Sequence, residues 1–297
     1  MEHAFKAGDD SQGLRLDKFL ALKLTSLSRS KLHELIAKGQ VFVNSKPQKP
    51  SLKLKGNEDI RVVEDEPSVG ILPFDFDVKI IYEDNSVIVI DKPYGLTVHP
   101  ANKNMHDTLV NALIGKNKIL SQVDPNRPGV VHRLDKETSG LMVLACTNEA
   151  HYHLVNQFRE RKINKIYQAI VWGVLPQDAM CVDMPLGRDS ANRTQMKVGF
   201  IGSKEARTDV KVLKRFKDST YVELKIHTGR MHQIRVHMKF LGYPVVGDLK
   251  YGPRKSEYKE MLLHAVKLGF LHPETGKYCE FSSPLPPRFS DFIHARG

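Results

Sequence analysis

Residues 63–74, VEDEPSVGILPF, crowd Glu64, Asp65, Glu66, Pro67, Gly70 and Pro73 into one short stretch. Proline removes a backbone donor, glycine raises the entropy cost of ordering, and three adjacent carboxylates repel one another, so neither helix nor strand is expected to start there. The chain is therefore expected to fold as two units joined by an acidic linker, residues 64–77. Charge follows the same division. Residues 1–63 hold 12 basic and 7 acidic side chains, residues 64–91 hold 1 and 8, and residues 92–297 hold 32 and 19, for a total net charge of +11. Two basic blocks around an acidic one suit a polyanionic partner, because lysine and arginine that neutralise phosphates release counterions and supply sequence-independent affinity.

The remaining composition narrows the class. With 41% hydrophobic and 27% charged residues among 297, the chain has the make-up of a folded globular protein, which argues against disordered, collagen-like or disulfide-stapled architectures. The opening MEHAFKAGDDSQG holds no apolar core of signal-peptide length, and the longest apolar stretches, such as residues 140–146, are too short to span a bilayer. A cytoplasmic protein that does not enter membranes is expected. Cys146, Cys181 and Cys279 are too few and too scattered for a disulfide framework or a CxxC metal site.

In the first block Leu14, Leu16, Phe19, Leu20 and Leu24 recur at helical spacing. Ser28 or Ser30 can cap a second helix, with Leu32, Leu35 and Ile36 on its apolar side and Gly39 at its end. Val41, Val43, Ile60 and Val62 alternate as strands around a turn at residues 44–47. The helices' polar sides carry Lys18, Lys23, Arg29, Lys31 and Lys38, which read alone are most simply a solvated face. The second block opens with strands at 78–82 and 87–91, followed by a Gly/Pro-rich loop, residues 92–100. At residues 128–145 a run of charged and small polar residues, His132 to Gly140, separates two apolar runs, so it is expected to be a tight loop ending one strand and beginning another. Asp135 falls at its apex. Read alone, it could simply cap the turn.

Four segments carry a resemblance. HRLDKETSG (132–140) is similar to the catalytic motif of the RluA-type RNA pseudouridine synthases. DKPYGLTVHP (91–100), KIYQA (165–169) and IHTGRMHQIRVHM (226–238) resemble, in the same order, the family's first motif, its tyrosine segment and its third motif. SRSKLHELIAKGQVFVN (28–44) resembles the S4 RNA-binding domain. An S4-like segment ahead of these motifs is most similar to the RluD-like branch, which acts on large-subunit ribosomal RNA.

The resemblance implies an α+β protein. It would comprise a small S4-like (αL) RNA-binding domain at residues 13–63, the linker, and a pseudouridine synthase catalytic domain at 78–297 with a mixed, mainly antiparallel sheet. The implied reaction breaks the N1–C1′ bond of uridine, turns the uracil and joins C1′ to C5. Composition is unchanged, so no cofactor and no metal is expected. One carboxylate is suited to it, as a nucleophile toward C1′ or a base toward the C2′ proton, and Asp135 matches that position. A glycosidase would need a second carboxyl group, and Glu137, the nearest in sequence, has no role that the resemblance implies.

By the same resemblance Arg230 pairs with Asp135, Tyr167 lies against the uracil, and Arg133 fills the space left when uridine is extruded from folded RNA. Arg29, Lys31 and Lys38 are the expected RNA contacts of the small domain. His132, His232 and His237 lack any HExxH pattern or cysteine partner and are expected to be structural or RNA-contacting. The basic cluster Arg159, Arg161, Lys162 and Lys165 is a candidate phosphate-contacting surface, or merely a solvated one. The expected partner is RNA, 23S ribosomal RNA or a large-subunit precursor, met by a monomer. Alternatives are the same chemistry on tRNA, or a non-catalytic RNA-binding or ribosome-assembly protein.

Overall fold

A computed structural model describes residues 2–296 apart from 25, 26, 28, 64–70, 103, 193 and 254–256. Residues 1–70 and 71–297 form two compact units. The smaller contains β1 (Glu2–Lys6), α1 (Leu16–Lys23), α2 (Arg29–Ala37), β2 (Val41–Val43), β3 (Lys46–Pro47) and β4 (Asp59–Val63). Its antiparallel sheet has the order β1-β4-β2-β3. Leu16, Leu20, Leu32 and Leu35 from the two helices close on Val41, Ile60 and Val62, all buried. The helical spacing of the leucines and the alternation of the strands thus meet in one core. β1 pairs along all of β4, so this unit begins ahead of residue 13. Lys38 forms an i,i+4 ion pair with Glu34 at 2.7 Å. The side chains of Arg29 and Lys31 lie outside the described residues.

The linker reads differently in its two halves. Residues 64–70 lie outside the described residues. Ile71, Phe74 and Phe76, however, pack against the core of the larger unit, and Leu72 offers its carbonyl to Asn111 Nδ2 at 2.7 Å. Three spaced apolar side chains outweigh the acidic character of this half, and 71–77 belongs to the larger unit rather than to a tether.

That unit contains β5 (Lys79–Glu83), β6 (Val87–Lys92), α3 (Leu109–Gly115), β7 (Ser139–Ala145), α4 (Asn148–Arg159), β8 (Asn164–Trp172) and β9 (Ala179–Asp183). It continues with β10 (Leu186–Arg188), β11 (Met196–Val198), β12 (Arg207–Arg215), β13 (Ser219–Ile226), α5 (Gln233–Phe240), β14 (Leu263–Leu271), β15 (Tyr278–Ser282) and α6 (Pro287–Arg296). The main sheet runs β5-β6-β7-β14-β8-β13-β12-β9, with β15 also pairing β14. Only the β7–β14 pairing is parallel, so the sheet is mixed and mainly antiparallel.

β6 and β7 are apolar on both faces because both are covered. Ile88, Ile90, Met142 and Leu144 join α3's Leu109 and Leu113 on one side, while Val87, Val89 and Val143 join α4's Ala150 and Leu154 on the other. Between them these layers hold the start of β7, and with it the loop that precedes it. The apolar residues before that loop do not form the expected strand: Val130 makes a single bridge to Leu144. The chain turns there at Gly129, whose φ is +69°.

Candidate active site

The loop at 131–138 turns tightly, with the Thr138 amide donating to the Asp135 carbonyl at 3.1 Å. Two contacts tie it to the preceding loop. Gly95 N donates to the Lys136 carbonyl at 2.9 Å, and Lys92 Nζ, fully buried, reaches the carbonyls of Pro93 (2.9 Å), Leu96 (2.8 Å) and Lys136 (3.2 Å). Three acceptors match the three donors of an ammonium group, which offsets part of the cost of burying it. Burial pushes this amine down from 10.5 to about 7, with Asp135 and Glu137 opposing. In the unfolded chain the amine stays near 10.5, so between about pH 7 and 10 the unfolded state binds more protons and Lys92's contribution to stability rises with pH. Melting temperatures from pH 7 to 9 are expected to show this rise in the wild type and a smaller one in Lys92→Met.

Asp135 Oδ2 accepts from Arg235 Nη1 at 3.1 Å. Arg235 is 3% exposed and lies in the first turns of α5, where its other donors are taken by Asp248: Nε to Oδ2 at 2.7 Å and Nη2 to Oδ1 at 2.9 Å. Asp248 Oδ1 also accepts from the amides of Lys250 (2.9 Å) and Tyr251 (3.0 Å). Burial alone would raise the Asp248 carboxyl, but the Arg235 bonds and the backbone donors outweigh it and hold it below the usual range. A bidentate pair with a fully satisfied carboxylate fixes the guanidinium in one orientation, with Nη1 left for Asp135.

Arg230 is therefore not the residue that bonds Asp135. Its Nε donates to the Glu205 carbonyl at 2.9 Å, and its amide donates to Gln233 Oε1 at 3.0 Å. The physical reason is the turn into α5. His232 adopts a left-handed conformation (φ +55°) and reverses the chain, so Arg230 stays at the rim of the cavity while Arg235 enters beneath it. The same reversal places His232 between Tyr251, with Nδ1 2.7 Å from its hydroxyl, and Asp135, with Nε2 4.0 Å from Oδ2. Burial, more than Asp135 can offset, lowers the His232 imidazole below its ordinary value.

A cavity of about 390 Å³ opens onto Asp135, lined also by Arg133, Lys165, Tyr167, Arg230 and His232. Tyr167 is buried; burial, and then Asp135, push its phenol well above 10, so it is protonated at neutral pH. Arg133 is exposed. Lys165, read from sequence as part of a basic surface, is only 8% exposed and sits 5.7 Å from the Phe158 ring centroid. Of its cluster, Arg159 also lines the cavity, whereas Arg161 pairs with Glu205 and Lys162 with Glu160, each at 2.7 Å. Burial, with Arg230 nearby, lowers the Lys165 amine to about 8. The cavity thus loses a positive charge as pH rises through about 8. RNA affinity measured from pH 7 to 9 is expected to fall, and Lys165→Gln to bind more weakly at pH 7 with a flatter profile.

The histidines take protein partners. His132 Nε2 accepts from the Val143 amide at 3.1 Å and its ring stacks on Phe158; burial drives it down to about 3. His237 bonds Thr208 Oγ1 and the Met184 carbonyl, each at 2.9 Å.

Sequence reasoning missed Arg235, Asp248 and Lys92. A signal existed for the first: an arginine between Ile234 and Val236 interrupts an apolar run on a short helix, and a buried cation needs a carboxylate nearby.

Comparison with known proteins gives this geometry a family. Residues 86–240 match the model of RNA pseudouridylate synthases, and residues 14–60 match the S4 domain. The chain belongs to the RNA pseudouridylate synthase family. It is 42% identical over 290 residues to an uncharacterized RNA pseudouridine synthase of Bacillus subtilis, covering 97% of this chain and 95% of that one. It is 44% identical over 288 residues to the ribosomal large subunit pseudouridine synthase D of Neisseria meningitidis serogroup A, covering 92% and 76%. Among solved structures, human RNA pseudouridylate synthase domain containing 1 superposes with a TM-score of 0.59 at 28% identity, covering 70% of this chain and 83% of that one. This pseudouridine synthase carries an RNA-binding S4 domain ahead of its catalytic fold, and no helix among its described residues is long and apolar enough to cross a membrane.

Proposed function

We propose that this synthase isomerises uridines of 23S ribosomal RNA in the cytoplasm, with Asp135 as the reacting carboxylate. The observation that carries the chemistry is Asp135 at a cavity wall, 15% exposed, held by an arginine that is itself held by a buried carboxylate. Positioning of this kind lowers the entropic part of the barrier, because the carboxylate meets C1′ or the C2′ proton without searching for its orientation. Tyr167 packs the base, and its protonated phenol is a hydrogen-bond donor before any bond breaks. Arg133, at the exposed edge, occupies the space of the extruded nucleotide. Arg230 and Lys165 place positive charge where the RNA backbone enters. Bond breaking and re-forming within one nucleoside balance without an external electron acceptor, so no cofactor is needed.

The ribosomal target is supported by the names of the relatives, which include large-subunit synthases from several bacteria at 38–44% identity. Pseudouridine mapping of total RNA from cells with and without the gene tests it. Loss of signal in 23S RNA is the expected result, and loss confined to tRNA would redirect the assignment.

A further inference from the structure

Away from the cavity, a chain of hydrogen bonds runs from the last helix to the start of the first motif. Arg288 Nη2, at the beginning of α6, donates to Ser139 Oγ at 2.5 Å. Ser139 Oγ lies 2.8 Å from His264 Nδ1 on β14, and His264 Nε2 lies 3.2 Å from Ser283 Oγ. Ser283 Oγ donates to Asp91 Oδ2 at 2.6 Å. With the buried imidazole neutral, the two ends fix every direction between them. A guanidinium only donates and a carboxylate only accepts. Ser139 has one proton, which goes to His264 Nδ1, so the ring proton is on Nε2 and goes to Ser283, whose own proton goes to Asp91. All five residues therefore form a single polarised line. Burial keeps the imidazole neutral, lowering His264 to about 4.

This line is attached to both segments that hold Asp135. Ser139 ends the catalytic loop and is followed by Gly140, at φ +112°, where a Cβ would lie 2.4 Å from the Ala265 carbonyl oxygen. The loop's exit is thus pressed onto β14 beside His264, and no larger residue fits there. At the other segment, the Arg288 guanidinium lies 5.3 Å from the ring centroid of Tyr94, between the Lys92 and Gly95 that bind Lys136. Ser139, His264 and Ser283 are buried, and none of the five lines the cavity.

We propose that Arg288 is a positioning residue for Asp135: through Ser139, His264, Ser283 and Asp91 it anchors the C-terminal helix to both loops of the reaction centre and fixes the height of the carboxylate in the cavity. The inference rests on the reading of Asp135 as the reacting group. A displacement of about 1 Å at such a group can cost on the order of a hundredfold in rate. Arg288→Gln is therefore expected to slow single-turnover conversion by about tenfold to a hundredfold with RNA affinity unchanged. Arg288→Lys, which keeps a donor for Ser139, is expected to recover most of the rate. Arg288→Gln combined with Ser283→Ala is expected to be no slower than the slower single variant, because one break already opens the line. A wild-type rate in Arg288→Gln overturns the proposal. So does a rate loss that merely tracks the loss of folded protein, is not relieved by lysine and multiplies with Ser283→Ala. Asp135→Asn run alongside separates the two readings: conversion by that variant removes the premise, whereas an inert Asp135→Asn beside a fully active Arg288→Gln removes only the positioning role.

Discussion

Asp135→Asn is expected to abolish conversion of uridine, by about 10⁴-fold or more, while RNA affinity survives. The amide has the shape of the carboxylate and keeps an oxygen to accept from Arg235 Nη1, so the loop between Lys92 and β7 has no reason to rearrange. What it lacks is the negative charge, and with it the nucleophilicity to attack C1′ or the basicity to take the C2′ proton. Glu137 is the internal control. Its carboxylate lies 3.5 Å from the same Arg235 Nη1 but is 44% exposed, three times as open as Asp135 at 15%. Glu137→Gln is expected to retain most of the rate, which would separate this site from a two-carboxylate glycosidase. Single-turnover measurements on one RNA, with binding followed separately, distinguish these outcomes.

Arg235→Gln is expected to produce the second large effect, on stability as well as rate. Its removal leaves Asp248, whose side chain is fully buried, with two backbone donors and no counter-charge. Breaking a buried pair by deleting one partner costs about 3–5 kcal/mol. Adding Asp248→Asn removes the stranded charge, so the double variant is expected to melt closer to the wild type than Arg235→Gln alone. Conversion should remain low in both, because neither restores the donor at Asp135. Thermal melts together with single-turnover rates check both halves; recovery of rate along with stability would mean that Arg235 acts only as a structural ion pair.

Much of this architecture is written in short-range pattern. Leucines at helical spacing and alternating valines specify the small unit, and the polar interruption at residues 132–140 marks the loop that carries Asp135. The partners of Asp135 are not written that way. Arg235 is 100 residues away in the chain and meets the loop only in the folded unit, where β14 and β8 stand between β7 and β13 in the sheet. The turn that leaves Arg230 at the rim and brings Arg235 beneath it falls at His232, with no glycine or proline to mark it, so only the folded chain shows which of the two arginines reaches Asp135. Burial is hidden for the same reason. Lys92 and Lys165 look like two more charges in a chain of 45 basic residues, yet one is enclosed by three carbonyls and the other lies inside the cavity. The acidic linker misled in the opposite direction, because Ile71, Phe74 and Phe76 find an apolar surface that composition alone does not reveal.

Asp135 is proposed as the one carboxylate that drives isomerisation of uridine in RNA. Its most direct test is release of tritium from an unmodified 23S RNA transcript labelled at uridine C5, incubated with purified protein alone, since joining C1′ to C5 must expel that hydrogen. The wild type is expected to release tritium and Asp135→Asn, bound to the same transcript, none; release by the variant at the wild-type rate would overturn the assignment of Asp135.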